Sequence, residues 1–295
     1  MTPRLETAPR METAMPHESE IAALKARYPA IYDAEKRDKR VQVAVWAAVA
    51  AFVYFCFWWI GMGWDRFFTG LAKLGWLFQF LFPPNHGGWF SYFLVGMGET
   101  LAMAFLGTML AAIAAVPLGF MAARNIVSNK FFHFGVRRSL DGLRGVDALI
   151  WALVFVSAVG LGPFAGVMAL ALSDVGTLAK LFSEAIENVE REQGEGVRAA
   201  GASPVLETRF SVVPQVMPVF ISSVLYYLES NTRSATVLGV VGAGGIGLAL
   251  ADRIRINDWD QVCFIVIMIL ITVSIIDAIS RVLREKLIGK QALAG

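Results

Sequence analysis

Residues 97–123 read MGETLAMAFLGTMLAAIAAVPLGFMAA, and after Glu99 no charged side chain interrupts the run. As a helix rising 1.5 Å per residue, a run of this length exceeds the roughly 30 Å hydrocarbon core of a bilayer. Only a helix satisfies its own backbone in lipid without help from neighbours, so the stretch predicts a membrane span. Working outward, 41–62 (VQVAVWAAVAAFVYFCFWWIGM) and 261–282 (QVCFIVIMILITVSIIDAISRV) read in the same way. The run 147–182 is interrupted by GLGPFAG at 160–166, where glycines and Pro163 can turn the chain, and it predicts two spans. A sixth is 211–230 (SVVPQVMPVFISSVLYYLES), whose Pro214 and Pro218 each remove a helical hydrogen bond and should bend one end.

The expected fold is therefore an all-α polytopic bundle of about six spans. Of 295 residues, 56% are apolar and 17% charged, a composition suited to lipid rather than to two soluble domains. The net charge of +2 leaves no dominant basic surface for nucleic acid. Cys56 and Cys263 lie inside apolar runs, which excludes a disulfide framework, and the first 40 residues lack the apolar core of a secretory signal. Basic residues are retained on the cytoplasmic side during insertion. Assigning 1–40, 124–146, 180–210 and the segment from 281 onward to the inside gives 21 Lys and Arg there, against 5 in 64–96 and 231–260. Both termini are then expected in the cytoplasm. The outer loop 63–92 contains LAKLGWLFQFLF (71–82), too short to cross and expected to lie at the interface with Trp76 at headgroup level. Residues 18–28 could lie along the inner surface or belong to a solvated tail.

GAGGIG at 242–247 matches the dinucleotide-binding pattern G-x-G-x-x-G, but that loop needs a strand before it and a soluble βαβ unit around it, and neither is present. Two physical readings remain: a pore-lining segment of irregular backbone, or a tight helix-packing site that exploits the missing side chains.

A second feature is EAIENVEREQGEGVRAAGASPVLETRFSVVP, residues 184–214. Glu187 and Arg191, and Glu195 and Arg198, have helical spacing for pairing. Gly201 can close one helix in the left-handed conformation, Ser203 can cap the next, and Pro204 suits its first position. This predicts a helix, a turn and a second helix running into the membrane at Pro214, a shape suited either to receiving force from a soluble partner or to an ordinary solvated loop.

Glu195-Gly-Val-Arg-Ala-Ala-Gly201 followed by Pro214 resembles the EAA loop of ABC-importer permeases, with Gly196 and Val197 in place of its two alanines, Ser211 for the usual Ile and Val213 for Leu. The run Asn231-Thr-Arg-Ser-Ala-Thr-Val-Leu-Gly-Val-Val-Gly-Ala-Gly-Gly-Ile-Gly247 resembles the corresponding segment of phosphonate-type permeases, and the likeness covers roughly 90–285. It implies the type I importer fold, a permease core at 93–285 and tails at 1–40 and 286–295, in the inner membrane of a bacterium. It also implies a second permease copy, identical or paralogous, a dimer of ATPase subunits that carry ATP and Mg, and an extracytoplasmic substrate-binding protein. Carried over by position, Glu195, Arg198, Ala199, Ala200, Gly201, Ser203 and Pro204 would lie at the ATPase contact. The chain holds no G-x-x-x-x-G-K-[ST], so ATP hydrolysis is expected on another polypeptide and no cofactor on this one.

Charge inside the membrane is costly, so Glu99, Asp174, Glu229 and Asp277 are candidates for sites or partners, with Asp147 at a span end. Glu99 and Glu229 fall near predicted outer ends, and Asp277 could pair with Arg281 at i,i+4. For an oxyanion pathway the candidates are Asn231 and Arg233, with the amides of Gly242, Gly244, Gly245 and Gly247 supplying positive potential. Arg233 could equally snorkel at the outer interface. His17, His86 and His133 have no spacing for a metal site. Three alternatives remain open: a methionine or quaternary-amine importer, a proton-driven transporter working through Asp174, and an intramembrane enzyme using Glu99 with Asp174.

Overall fold

The computed structural model describes residues 27, 29–61, 63–80, 83–127 and 129–292. The surface helix considered at 18–28 lies outside them apart from Arg27. Among the described residues every regular element is helical, and two compact units are distinguished, Met1–Trp76 and Leu77–Gly295.

The first unit contains α1 (Pro29–Trp59), whose Val41–Trp59 portion is long and apolar enough to cross a membrane. Its Trp46, Phe52 and Trp59 are exposed, the arrangement expected when the solvent is lipid. Gly61 turns the chain at φ 67° into α2 (Trp64–Phe80), which begins about two turns before the interfacial segment expected at 71–82.

The second unit contains α3 (Phe90–Ala122), α4 (Lys130–Arg144), α5 (Ala148–Val159), α6 (Pro163–Glu187), α7 (Arg191–Ala199), α8 (Pro204–Glu207), α9 (Val213–Leu238), α10 (Gly245–Arg255) and α11 (Trp259–Ala292). One π-helical turn, Thr208–Val212, leads into α9 and another, Gly239–Ala243, leaves it. The first of these lets the chain meet Pro214 at the start of α9, where its missing N–H costs least.

Two expectations change. The break at 160–162 is present, but α5 has 12 residues and spans only about 18 Å, too little to cross alone. It passes as a span only together with α4, from which it is bent by 82°, so among the described residues five helices are long and apolar enough to cross singly, and the count reaches six when the bent pair is taken as one span. The span expected at 211–230 is longer: the helical path runs Pro204–Ala243 and carries Asn231 and Arg233 inside it rather than in an outer loop.

Helices α3 and α6 pack most closely, and the sequence explains why. Gly107, Ala111, Ala115 and Gly119 recur every four residues and are all buried, forming a stripe of small residues on one face of α3. A Cβ at Gly107 would lie 2.7 Å from Leu170 Cβ, and one at Gly119 would lie 2.8 Å from Phe182 Cβ. Phe182 then stacks on Phe220 of α9 at 3.9 Å between ring centroids, closing the core at the α7 end of the bundle.

Candidate functional site

The segment 184–214 builds the feature expected of it, with different side-chain pairs. Helix α7 closes on Ala200 and Gly201, the latter at φ 85°. Gly201 N–H donates to Arg198 O at 2.8 Å and Ala202 N–H to Val197 O at 3.4 Å, the two bonds of a Schellman closure. Ser203 occupies the N-cap of α8 and Pro204 its first position, but the Ser203 side chain makes no capping hydrogen bond; its carbonyl instead accepts Glu207 N–H at 2.9 Å. Glu195, Ala199, Ala200, Gly201, Ser203 and Pro204 are all exposed on this turn.

Arg198 does not pair with Glu195. Its Nε and Nη2 donate to the two carboxylate oxygens of Glu207 at 2.6 and 2.7 Å, a bidentate clamp from α7 to α8. The hydrogen bond to Glu207 and the Glu207 charge raise the pKa of Arg198 above its ordinary value. Gly194 lets the clamp close, since a Cβ there would sit 3.0 Å from Glu207 Oε1. Nor does Glu187 pair with Arg191, because α6 ends at Glu187 and the two residues belong to different helices. Glu187 accepts Arg137 Nη2 at 2.7 Å and Arg124 N–H at 2.8 Å. A groove of about 660 Å³ lies between this helix pair and the bundle, bounded by Glu187, Glu190, Glu195 and Glu207 among others.

The glycine run is a packing and capping site. Gly242, Gly244, Gly245 and Gly247 are all buried within the chain. Gly242 and Gly244 hold φ of 101° and 82°, reversing the chain between α9 and α10. A Cβ on Gly247 would overlap the Thr236 carbonyl oxygen and lie 2.9 Å from Gly239 Cα. The first amides of α10 are already bonded: Gly245 N–H donates to Glu99 Oε2 at 3.0 Å and Ile246 N–H to Thr100 Oγ1 at 2.9 Å. Glu99 thus serves as a cap at a helix N-terminus, where the backbone dipole favours a negative charge, and Gly245 N–H is not open to a passing anion. Within the single chain these glycines make close contacts of the kind the packing alternative expects.

Asn231 and Arg233, adjacent in sequence, face different surroundings. Asn231 is buried and its Nδ2 donates to Asp174 Oδ2 at 2.5 Å and to Thr108 Oγ1 at 2.9 Å, joining α9, α6 and α3. The available signal for Thr108 is its i,i+4 alignment with Ala104 and Thr100 on a buried face of α3. Arg233 points toward α11, 3.3 Å from Asp277 and 3.6 Å from Glu229, while half of its side chain stays exposed. Arg284 completes the network at 2.6 Å from Glu229. Asp277 therefore pairs across helices rather than with Arg281. Glu229 on α9 and Arg284 on α11 therefore share one level of the bundle. No group of three potential metal ligands exists among the described residues.

Residues 115–289 match the family model described as the binding-protein-dependent transport system inner membrane component. The chain is 39% identical over 241 residues to the phosphite transport system permease protein of Stutzerimonas stutzeri, covering 81% of this chain and 87% of that one. It is 48% identical over 121 residues to an Escherichia coli protein provisionally named a cryptic phosphonate transport system permease, covering 41% of this chain and 99% of that one. In fold it matches a chain of the inward-facing MetNI methionine ABC transporter with a TM-score of 0.61 at 20% identity, over 68% of this chain and 98% of that one. The bent-helix bundle, the exposed helix-turn-helix before Pro214 and these matches lead to one conclusion: the chain belongs to the multi-pass inner-membrane permeases of binding-protein-dependent ABC importers.

Proposed function

We propose that the chain forms the translocation pathway of an ATP-driven importer for phosphonate or a related phosphorus oxyanion such as phosphite. The observation that carries this reading is the 39% identity with a phosphite transport permease along 87% of that protein. The exposed turn Glu195–Pro204, clamped by Arg198 and Glu207, is the contact through which a separate ATPase dimer moves the bundle. Its nine-residue helix is too short to be stable alone in water, so the Schellman closure and the clamp give it the rigidity that force transmission requires. The count of basic residues supports a cytoplasmic position for this turn and for both termini.

A second permease copy would complete the pathway, and a binding protein would deliver substrate to the opposite face. Arg233, half exposed beside Glu229 and Asp277, lies along that pathway in this reading and steers the anion by its charge without holding it tightly. The test is uptake of labelled phosphite and methylphosphonate into membrane vesicles that contain the complete transporter. ATP-dependent, vanadate-sensitive uptake of either anion is expected. Uptake of both anions unaffected by removing the ATPase would refute the coupling reading, and ATP-driven uptake of methionine with neither anion carried would refute the substrate.

A further inference from the structure

Helix α4 (KFFHFGVRRSLDGLR) carries a charged side, where Phe134 lies under Arg138 at 5.4 Å, and an apolar side of Phe132, Val136 and Leu143, and it lies at the α7 end of the bundle. It is bent 82° from α5, so the two helices run nearly at right angles to each other. Phe131 is 90% exposed and Phe134 62% exposed, which suits burial in the boundary between headgroups and acyl chains.

Two cavities flank this helix and meet at Leu140. One, of about 250 Å³, is lined by Arg124, His133, Arg137, Arg138, Asp141 and Lys180. Four cations thus face one lining carboxylate. Arg137 is engaged by Glu187, but Arg138 and Lys180 share Asp141 only loosely, at 3.7 and 3.9 Å. The Arg124 side chain makes no hydrogen bond or ion pair among the described residues, and its backbone N–H alone is bonded, to Glu187. His133 Nε2 is buried without a hydrogen-bond partner among the described residues, 4.0 Å from the nearest Glu187 oxygen. The other cavity, of about 450 Å³, is almost wholly apolar and runs past Leu118, Phe132, Val136 and Leu143.

We infer that α4 holds an anionic phospholipid, with the headgroup phosphate in the basic cavity and an acyl chain in the apolar one. Excess positive charge with loosely occupied donors calls for a phosphate. A basic pocket between helices at the membrane surface is a suitable receptor for an anionic headgroup. A soluble phosphate would use the basic cavity but has nothing to place in the apolar cavity beside it, whereas exposed Phe131 and Phe134 offer apolar surface to a lipid. The lipid would brace α4 against the end of α6, which leads directly into α7.

Native mass spectrometry of the purified full-length chain, titrated with phosphatidylglycerol and with phosphatidylcholine, tests this. A preference of about tenfold or more for phosphatidylglycerol is expected, since each cation near the headgroup contributes about 1 kcal/mol. The double variant Arg124→Gln/Lys180→Gln should lose that preference while retaining phosphatidylcholine binding and its helical content. Asp141→Asn, which frees Arg138 and Lys180, should strengthen phosphatidylglycerol binding. Gly135→Phe places a ring in open space beside the apolar cavity and should weaken both lipids. An unchanged preference in the double variant, or weaker binding in Asp141→Asn, would overturn the site. Displacement of the lipid by millimolar inorganic phosphate, with Gly135→Phe without effect, would overturn the lipid in favour of a free anion.

Discussion

Asn231 Nδ2 lies 2.5 Å from Asp174 Oδ2, so the carboxylate of α6 is held by an amide from the middle of α9, and the amide's second hydrogen reaches Thr108 on α3. The Thr108 hydroxyl in turn donates a hydrogen bond to Ala104 O at 2.7 Å. Three helices are thereby fixed at one level by a chain of donors and acceptors with none left open on Asn231 Nδ2. Loss of Asn231 would leave a buried carboxyl without its donor, at a cost of about 1–3 kcal/mol. Asn231→Leu should therefore lower the thermal unfolding midpoint of the purified protein, and Asp174→Leu/Asn231→Leu should recover much of it. A double variant no better than the single would show that the cluster contributes more than mutual satisfaction, such as a site for a passing ion.

The Arg198–Glu207 clamp is exposed, so its value lies in geometry more than in stability. Arg198→Ala should reduce ATP-driven uptake several-fold while leaving protein abundance unchanged, and Arg198→Glu/Glu207→Arg should restore part of it. Failure of the exchange to rescue, with both single variants inactive, would mean that one of these charges touches the ATPase directly.

Gly201 has space for a Cβ but not the backbone for it: at φ 85° an L side chain costs about 1–2 kcal/mol, although no atom lies within 4 Å. Gly201→Ala should impair coupling more than Gly196→Ala, which meets no neighbour and has ordinary helical geometry. ATPase stimulation by substrate-loaded binding protein is the readout, and equal activity in both variants would remove the Schellman closure from the mechanism.

Helix positions were legible because apolar length is a local property, and the helix-turn-helix at 184–214 was legible because Gly201, Ser203 and Pro204 act within a few residues of themselves. Side-chain partners were not. Arg198 had Glu195 at helical spacing, yet Glu207 won because the Gly201 turn folds α8 back toward α7. Similarly, Asp277 had Arg281 nearby, but α9 brings Arg233 to 3.3 Å from it. The helical path through α9 runs past 230 although Asn231, Thr232 and Arg233 look like loop residues, because their polar groups are met by Asp174, the Leu228 carbonyl and Asp277. Two of the glycines of 239–247 show the same dependence on distant partners. The contact between Gly239 and Gly247 is so close that Gly247→Ala should cost about 3 kcal/mol or more, because the obstacle is backbone that cannot rotate away.

Glu99 offers the sharpest separation between a structural and a transport role for an intramembrane charge. Its carboxylate accepts Gly245 N–H at 3.0 Å while the neighbouring Thr100 hydroxyl accepts Ile246 N–H at 2.9 Å, so α3 caps the start of α10 twice. A negative charge at a helix N-terminus contributes about 0.3–1 kcal/mol when exposed and up to about 2 kcal/mol when partly buried. Glu99→Gln keeps an acceptor oxygen and loses only the charge, whereas Glu99→Ala loses both. If Glu99 is a cap, stability and uptake should fall together in the order wild type, Gln, Ala, with Gln retaining most of both. If Glu99 instead works on a proton or on the substrate, Gln should be as defective in uptake as Ala while remaining nearly as stable as the wild type. Measuring unfolding midpoint and uptake on the same preparations decides between them, and the two bonded amides favour the first outcome.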